Sequence, residues 1–188
     1  MYRTRVGYTG GSTKDPTYQN LGDHSESLQI DFDRTVVSYE DLLDYFFDNH
    51  KPFSPPWSVQ YKSAIFYANE DQKLAAEKKK AALEEENGTT IYTDILPLET
   101  FYLAEPYHQK HDLRKHPLLV QELEARYPTL EEFLAAPSVT WINSYVWGCG
   151  LLDDLLEDLP SFGLSLEAEE FLKKIVGNNS WPKATCGT

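Results

Sequence analysis

The sequence is poor in cysteine, in basic residues and in long apolar runs, and each shortage excludes a class of protein. Two cysteines among 188 residues do not make a disulfide scaffold. Seventeen Lys and Arg face thirty Asp and Glu, and the net charge of -13 repels the phosphates of nucleic acids and anionic membranes. The apolar runs are far shorter than the ~20 residues that span a bilayer. No basic segment followed by an apolar one opens the chain, so we expect a cytoplasmic protein.

The composition is otherwise that of a folded globular protein. Apolar residues make up 41% of the chain, aromatic residues 13% and charged residues 25%. This mixture excludes wholesale disorder. The length predicts one compact domain with a tail.

The hydrophobic pattern predicts a mixed fold. A Gly- and Thr-rich segment at residues 6–13 is typical of a loop. Strands are predicted at 27–33, 60–67 and 89–96, and helices at 39–48, 70–86, 118–126, 129–135 and 166–176. Residues 141–150 are predicted to be irregular. Strand, helix, strand, helix and strand in that order predict an α/β (α+β) sandwich with a helical C-terminal third.

A carboxylate and a set of tyrosines are the first candidates for chemistry. Glu26 lies just before a predicted strand and near Gly-rich loops, a place that suits a general acid if burial raises the pKa of the carboxyl group. A loop carboxylate that holds a nearby amide or hydroxyl is the alternative. Tyr8, Tyr18 and Tyr61 are phenols that can donate hydrogen bonds to a developing oxyanion, or they are amphipathic residues at the edge of a core.

A second cluster indicates metal binding only weakly. Glu105, His108 and His111 are three residues apart and would share a face of a helix. His24 and Glu26 form a His-x-Glu pair. However, Pro106 disfavours a helix through Glu105, and no Cys-x-x-Cys accompanies the pair as zinc deaminases require. Polar side chains of a loop beside a sheet are the alternative.

Taken together and in chain order, these motifs resemble those of the A-type peptide methionine sulfoxide reductases, the MsrA family. The resemblance is collinear over about the first 115 residues. The matching segments are residues 4–11 (TRVGYTGG), 16–18 (PTY), 24–26 (HSE), 30–33 (IDFD), 38–43 (SYEDLL), 49–52 (NHKP), 60–65 (QYKSAI) and 101–109 (FYLAEPYHQ).

The resemblance implies a fold and an activity. The fold would be a two-layer sandwich of mixed sheet and helices over residues 1–115, with a helical elaboration over 116–176 and a loose tail over 177–188. The activity would be reduction of methionine-S-sulfoxide, free or in proteins, by a thiolate that attacks sulfur. Glu26 would protonate the oxygen, and Tyr8 and Tyr61 would hydrogen-bond to it. The resemblance also implies thioredoxin or another dithiol as reductant, no metal or other cofactor, and a monomer.

Three departures from the family pattern concern the nucleophile and its surroundings. The family carries its nucleophile in a Gly-Cys-Phe-Trp-Gly segment upstream of residues 7–11, and Met1 falls where that segment should be ending. We therefore expect a truncated or divergent member without the first strand, the catalytic cysteine segment and the first helix. No Asp precedes Gln60-Tyr61 as it usually does in the family, and Lys51 stands where the family favours Asp.

The two cysteines leave their role open. Cys149, flanked by glycines, and Cys186 are candidates for the family's resolving thiol, or each is an incidental cysteine. Two other functions are alternatives to reduction: a non-catalytic relative that binds methionine-containing peptides, and a metal-dependent hydrolase.

Overall fold

The computed structural model describes residues 2–50 and 52–178, and the chain divides into two compact units. One, the α/β unit, comprises residues 6–105, and the described part of the other, the helical unit, comprises residues 2–5 and 106–178. A division by packing does not define the limits of a family domain. The predicted limits at residues 115 and 176 therefore stay predictions.

Five strands form two small sheets in the described part of the chain. The strands are β1 (Arg3–Thr9), β2 (Ser25–Asp31), β3 (Ala64–Tyr67), β4 (Asp94–Pro97) and β5 (Tyr102–Leu103). The first sheet has the order β2-β1-β5, and β1 runs antiparallel to β5 with Gly7 opposite Leu103 and Tyr8 opposite Tyr102. In the second sheet β3 and β4 are parallel. Parallel strands need a long crossover, which the second helix supplies.

Two capped helices complete the α/β unit. In α1 (Tyr39–Asp48) the Ser38 hydroxyl accepts from the Asp41 N–H, and the Asp41 carboxylate accepts from the Ser38 N–H, a capping box. Leu43 and Phe47 are its buried residues. In α2 (Glu70–Asn87) only Ala76 is buried, so this charged helix is mostly solvated, as its composition predicts.

The helical unit has one continuous apolar core. Leu113, Leu155 and Leu172 are completely buried in it. Two 3-10 turns, Pro106–His108 and Leu113–Lys115, precede its helices. The helices are α3 (Pro117–Arg126), α4 (Leu130–Ala135), α5 (Pro137–Trp147), α6 (Leu152–Phe162) and α7 (Leu166–Asn178).

Two predictions of irregular structure were wrong. The glycine-rich segment is strand up to Thr9, because its backbone pairs within the sheet and Gly7 leaves room for the Phe101 ring and the Tyr102 carbonyl. Helix α5 covers most of the stretch expected to be irregular, since Val139, Ile142 and Tyr145 bury one face of it.

The predicted class, a mixed α/β fold with a helical C-terminal part, is confirmed. Within the described residues, no helix is long and apolar enough to cross a membrane.

Candidate active site

Glu26 stands at the start of β2, where a loop is hydrogen-bonded to the strand. Its backbone N–H donates to the Gln60 carbonyl at 3.1 Å. The hydroxyl of buried Ser25 donates to the Val59 carbonyl at 2.8 Å. These bonds hold the loop against the strand and bring Gln60 and Tyr61 beside Glu26. The Glu26 side chain itself is exposed.

The side-chain amide of Gln60 joins the predicted acid to one of the predicted phenols. Its Nε2 donates to Glu26 Oε1 at 2.5 Å and to Tyr61 Oη at 3.1 Å. A hydrogen bond with the Tyr18 side chain raises the pKa of Tyr61, and partial burial and the charge of Glu26 act in the same direction. The Tyr61 hydroxyl therefore keeps its proton at neutral pH and can donate a hydrogen bond.

The other predicted phenol, Tyr8, lies in the core and contacts a different carboxylate. Its side chain is only 2% exposed, and its hydroxyl donates to Glu105 Oε2 at 2.6 Å. The second oxygen of Glu105 accepts from the backbone N–H of Tyr18 at 3.0 Å. Glu105 follows β5 directly, and β5 pairs with the strand that carries Tyr8. The sheet register thus explains the contact.

Two neighbouring residues brace the loop that follows β1. The exposed Asp23 carboxylate accepts from the backbone N–H and hydroxyl groups of Ser12 and Thr13, and these bonds hold its pKa far below the usual range. His24 is 1% exposed; its Nδ1 accepts from the Gly11 N–H at 3.1 Å, and its Nε2 donates to the Thr13 carbonyl at 2.7 Å. Both ring nitrogens are thus used inside the fold.

An exposed aromatic ring lies against Tyr61. The rings of Trp57 and Tyr61 are 4.9 Å apart between centroids and tilted by 30°, and Trp57 is 80% exposed. Pro55 and Pro56 precede it and limit the freedom of the backbone. The pair forms an apolar surface beside the polar groups of Glu26 and Gln60.

The cysteines lie apart from these residues in the chain. Cys149 follows Gly148, which ends α5 in the left-handed conformation, and its N–H donates to the Ser144 carbonyl at 3.0 Å. Cys149 is half-buried and is not a free thiol. Cys186 lies outside the described residues.

Over residues 2–50 and 52–178, no three His, Cys, Asp or Glu side chains are grouped closely enough to hold a metal ion. The predicted set of Glu105, His108 and His111 is not brought together as a metal site, since Pro106 begins a 3-10 turn and both Glu105 oxygens already accept hydrogen bonds.

Comparison with known proteins identifies the family. The family model of the peptide methionine sulfoxide reductases matches residues 1–136. This chain belongs to the peptide methionine sulfoxide reductase family. It is 37% identical over 188 residues to a peptide methionine sulfoxide reductase of Drosophila melanogaster, covering 99% of this chain and 75% of the relative. It is 44% identical over 115 residues to the MsrA of Nitrobacter winogradskyi, covering 57% of this chain and 64% of that protein.

Two solved structures support the assignment. The reduced form of Mxr1 from Saccharomyces cerevisiae is 29% identical with a TM-score of 0.56, and the match covers 61% of this chain and 71% of that one. Methionine sulfoxide reductase A of Corynebacterium diphtheriae is 29% identical with a TM-score of 0.51, covering 61% and 64%. The chain thus spans about two thirds of several relatives. The predicted family, its fold and its oxidoreductase class are confirmed.

Sequence reasoning gave Gln60 no role and did not associate Glu105 with the tyrosines. Gln60 had a signal, its place directly before Tyr61 in a matched motif. Glu105 was considered only as a metal ligand. Its contact with Tyr8 spans 97 residues of sequence, and no local pattern reports such a pairing.

Proposed function

We propose that this chain takes part in reducing methionine-S-sulfoxide, free or in proteins, to methionine. The observation that carries the proposal is the Gln60 amide, which holds the Glu26 carboxyl group and the Tyr61 hydroxyl within one hydrogen-bonded cluster. An acid and hydrogen-bond donors side by side are what a sulfoxide oxygen needs when it leaves sulfur. The exposure of Glu26 and Tyr61 leaves both open to a substrate.

In the proposed reaction a thiolate attacks the sulfoxide sulfur and the sulfur–oxygen bond breaks. The oxygen takes a proton from Glu26 while Tyr61 hydrogen-bonds to it, and Tyr8 is the second phenol proposed to assist. The attack forms a sulfur–sulfur bond and the protonated oxygen leaves as water. Water then attacks the enzyme's sulfur and releases a proton, the sulfur–sulfur bond breaks, and the thioether departs. Thiol and sulfoxide have then given sulfenic acid and thioether, so sulfur of the substrate is reduced and sulfur of the enzyme is oxidised. A second thiol then releases water and forms a disulfide, which thioredoxin or another dithiol reduces. No metal or other cofactor enters these steps.

The 188 residues do not include the cysteine motif that the proposed mechanism needs for its nucleophile. The Gly-Cys-Phe-Trp-Gly motif that resemblance assigns to the nucleophile is not among them. We propose that the nucleophile is supplied from outside these residues and that Cys149 or Cys186, once reduced to a thiol, resolves the sulfenic acid. We further propose that the protein is a cytoplasmic monomer.

A single-turnover measurement tests this function. The 188-residue chain should show negligible reduction of methionine-S-sulfoxide with dithiothreitol, because a thiolate must be aimed at the sulfur. The same chain preceded by a segment that carries Gly-Cys-Phe-Trp-Gly should form sulfenic acid, and Glu26→Gln in it should lower that rate by about 10²–10⁴-fold. Glu99→Gln, which removes another exposed carboxylate of the α/β unit, is the matched control and should keep the rate.

Three results would contradict the proposal in different ways. Turnover by the 188-residue chain that is abolished by Cys149→Ser would make Cys149 the nucleophile. A folded extended chain that binds methionine peptides without reducing the sulfoxide would support the non-catalytic alternative. An unchanged rate in Glu26→Gln together with a lower Tm would leave Glu26 as a brace of the loop.

A further inference from the structure

Glu105 is the one carboxylate of the site whose two oxygens bind two different parts of the α/β unit. Oε2 accepts from the Tyr8 hydroxyl at 2.6 Å, and Oε1 accepts from the Tyr18 N–H at 3.0 Å. Tyr8 is buried in the core and Ala104, directly before Glu105, is buried with it. One side of Glu105 is therefore fixed to the sheet. The other side holds a surface turn.

That turn is small and bonded to itself. Thr17 and Asn20 exchange backbone hydrogen bonds of 3.0 and 3.2 Å, and the Thr17 hydroxyl accepts from the Asn20 N–H at 3.2 Å. Tyr18 lies inside the turn, 43% exposed. Leu21, directly after the turn, packs with Tyr8 and Ala104 and anchors the end of the turn in the core. The bond from the Tyr18 N–H to Glu105 joins the turn itself to the end of β5.

The Tyr18 side chain links the position of the turn to the position of Tyr61. It hydrogen-bonds with Tyr61, whose hydroxyl accepts from Gln60, and Gln60 also donates to Glu26. A path of hydrogen bonds, continued through the covalent frame of Tyr18 from its N–H to its side chain, therefore runs from the core residue Tyr8 to the exposed acid. Tyr61 is 45% exposed, and besides these hydrogen bonds its ring contacts that of Trp57.

We infer that Glu105 is a positioning residue: its carboxylate places the Tyr18 turn so that Tyr18 holds the Tyr61 hydroxyl beside Gln60 and Glu26. Glu105 acts through Tyr18 and Tyr61 and does not itself touch the substrate. The importance of this placement for sulfoxide reduction rests on the proposed function, but the placement itself does not. It can be measured in a protein that reduces nothing.

The measurement is the titration of Tyr61 by NMR in the 188-residue chain labelled at the tyrosine ring carbons. Tyr61→Phe identifies the signal. In Glu105→Gln, only one carbonyl oxygen remains to accept from two donors, so the Tyr18 turn loosens. The pKa of Tyr61 should then fall toward its ordinary value, because the hydrogen bond with Tyr18 is the first cause of its rise. Glu99→Gln, which removes an exposed carboxylate of the same unit, should leave it unchanged.

Two further variants separate positioning from general destabilisation. Tyr18→Phe removes the hydroxyl and should lower the pKa of Tyr61 by itself, and adding Glu105→Gln to it should lower it no further, because the two act in one path. Tyr8→Phe combined with Glu105→Gln frees the remaining carbonyl oxygen for the Tyr18 N–H. This pair should move the pKa of Tyr61 back toward the wild-type value. If Glu105→Gln does not fold, Glu105→Asp replaces it; its carboxylate is one methylene group shorter and withdraws from the Tyr18 N–H, so the pKa of Tyr61 should fall.

Clear outcomes would overturn the inference. If Tyr18→Phe lowers the pKa of Tyr61 and Glu105→Gln does not, Glu105 only braces the fold. If neither variant changes it, Tyr18 does not hold Tyr61 in solution. In the extended, active chain, Glu105→Gln should slow sulfenic acid formation by up to about 10²-fold, as expected when a hydrogen-bonding group is misplaced by about 1 Å. An inactive extended chain with the expected Tyr61 titrations would refute the proposed function and leave the positioning role standing.

Discussion

The helical unit and the α/β unit are stabilised in different ways. The helical unit surrounds one apolar cluster that takes residues from all of its described helices. The α/β unit has two separate and smaller clusters, one around Leu43 and Ile65 and one around Tyr8. Glu26, Gln60 and Tyr61 belong to neither cluster and are placed by hydrogen bonds to strands and loops.

The contrast indicates what each kind of substitution changes. When buried side-chain atoms are removed from an apolar cluster, the free energy of unfolding falls in proportion to the buried area lost and to the volume of the cavity left behind. A hydrogen-bonded surface cluster contributes little to the free energy of unfolding, and its loss changes where a few atoms stand. We therefore expect core variants of the helical unit to act on stability, and site variants of the α/β unit to act on chemistry.

The largest effect is expected for Leu155→Ala. Leu155 is fully buried in the helical core, and removal of a buried leucine side chain lowers the free energy of unfolding by about 2–5 kcal/mol. Urea unfolding followed by circular dichroism measures the loss. The Tyr61 titration under native conditions should stay as in the wild type. A changed titration would break the comparison, because it would show that the site depends on the helical core.

A second large effect concerns a charge in the helical unit. Lys110 is 6% exposed, and its ammonium group donates to the hydroxyls of Thr4 and Thr140 at 2.7 Å each. Burial lowers the pKa of Lys110 to about 8 from its ordinary value of 10.5. The unfolded chain therefore holds this proton up to a higher pH than the folded one. Between about pH 8 and 10.5 stability from this group rises with pH.

The size of this increase in stability follows from how far the pKa of Lys110 is lowered. A difference of about 2.5 pKa units corresponds to roughly 3 kcal/mol, so wild type should gain up to that amount across the window relative to Lys110→Met. Urea unfolding of both proteins at pH 7, 8, 9 and 10 gives the difference. Parallel stability curves would mean that the ammonium group is solvated in solution.

The sequence predicted local structure well and long-range contacts poorly. Helix α1 has the predicted bounds because its capping box lies within four residues, Ser38 to Asp41. Strand β4 begins only at Asp94, since the Ile91 N–H donates to the Glu84 side chain and so leaves the ladder. The family was readable from the order of its motifs. The path through Glu105 was not, because its donors lie 97 and 87 residues away in sequence.

A moderate effect is expected at the brace of the first loop. Backbone and hydroxyl donors of Ser12 and Thr13 lower the pKa of Asp23, so its stabilising contribution is present above the ordinary Asp pKa and is lost as the pH falls through the lowered one. Asp23→Asn should lower the Tm by a few degrees at pH 7. The gap between the two melting curves should narrow as the pH is lowered from 4 to 2. If the difference in Tm between the two proteins stays constant from pH 4 to pH 2, the charge of Asp23 does not contribute to stability.

The smallest effect on stability, and the sharpest form of the comparison, is expected for Trp57→Ala. Trp57 is 80% exposed, and surface substitutions of this kind change the free energy of unfolding by less than about 0.5 kcal/mol. Its ring nevertheless lies 4.9 Å from that of Tyr61, so its removal should shift the Tyr61 ring signals in the NMR spectrum. Trp57→Phe should keep most of the ring contact. Trp141→Ala removes an exposed indole from the helical unit instead of the α/β unit, and it should leave the Tyr61 signals in place. A large loss of stability without a change in the Tyr61 signals would contradict this distinction between core and site residues, because Trp57 would then act as part of the structural core.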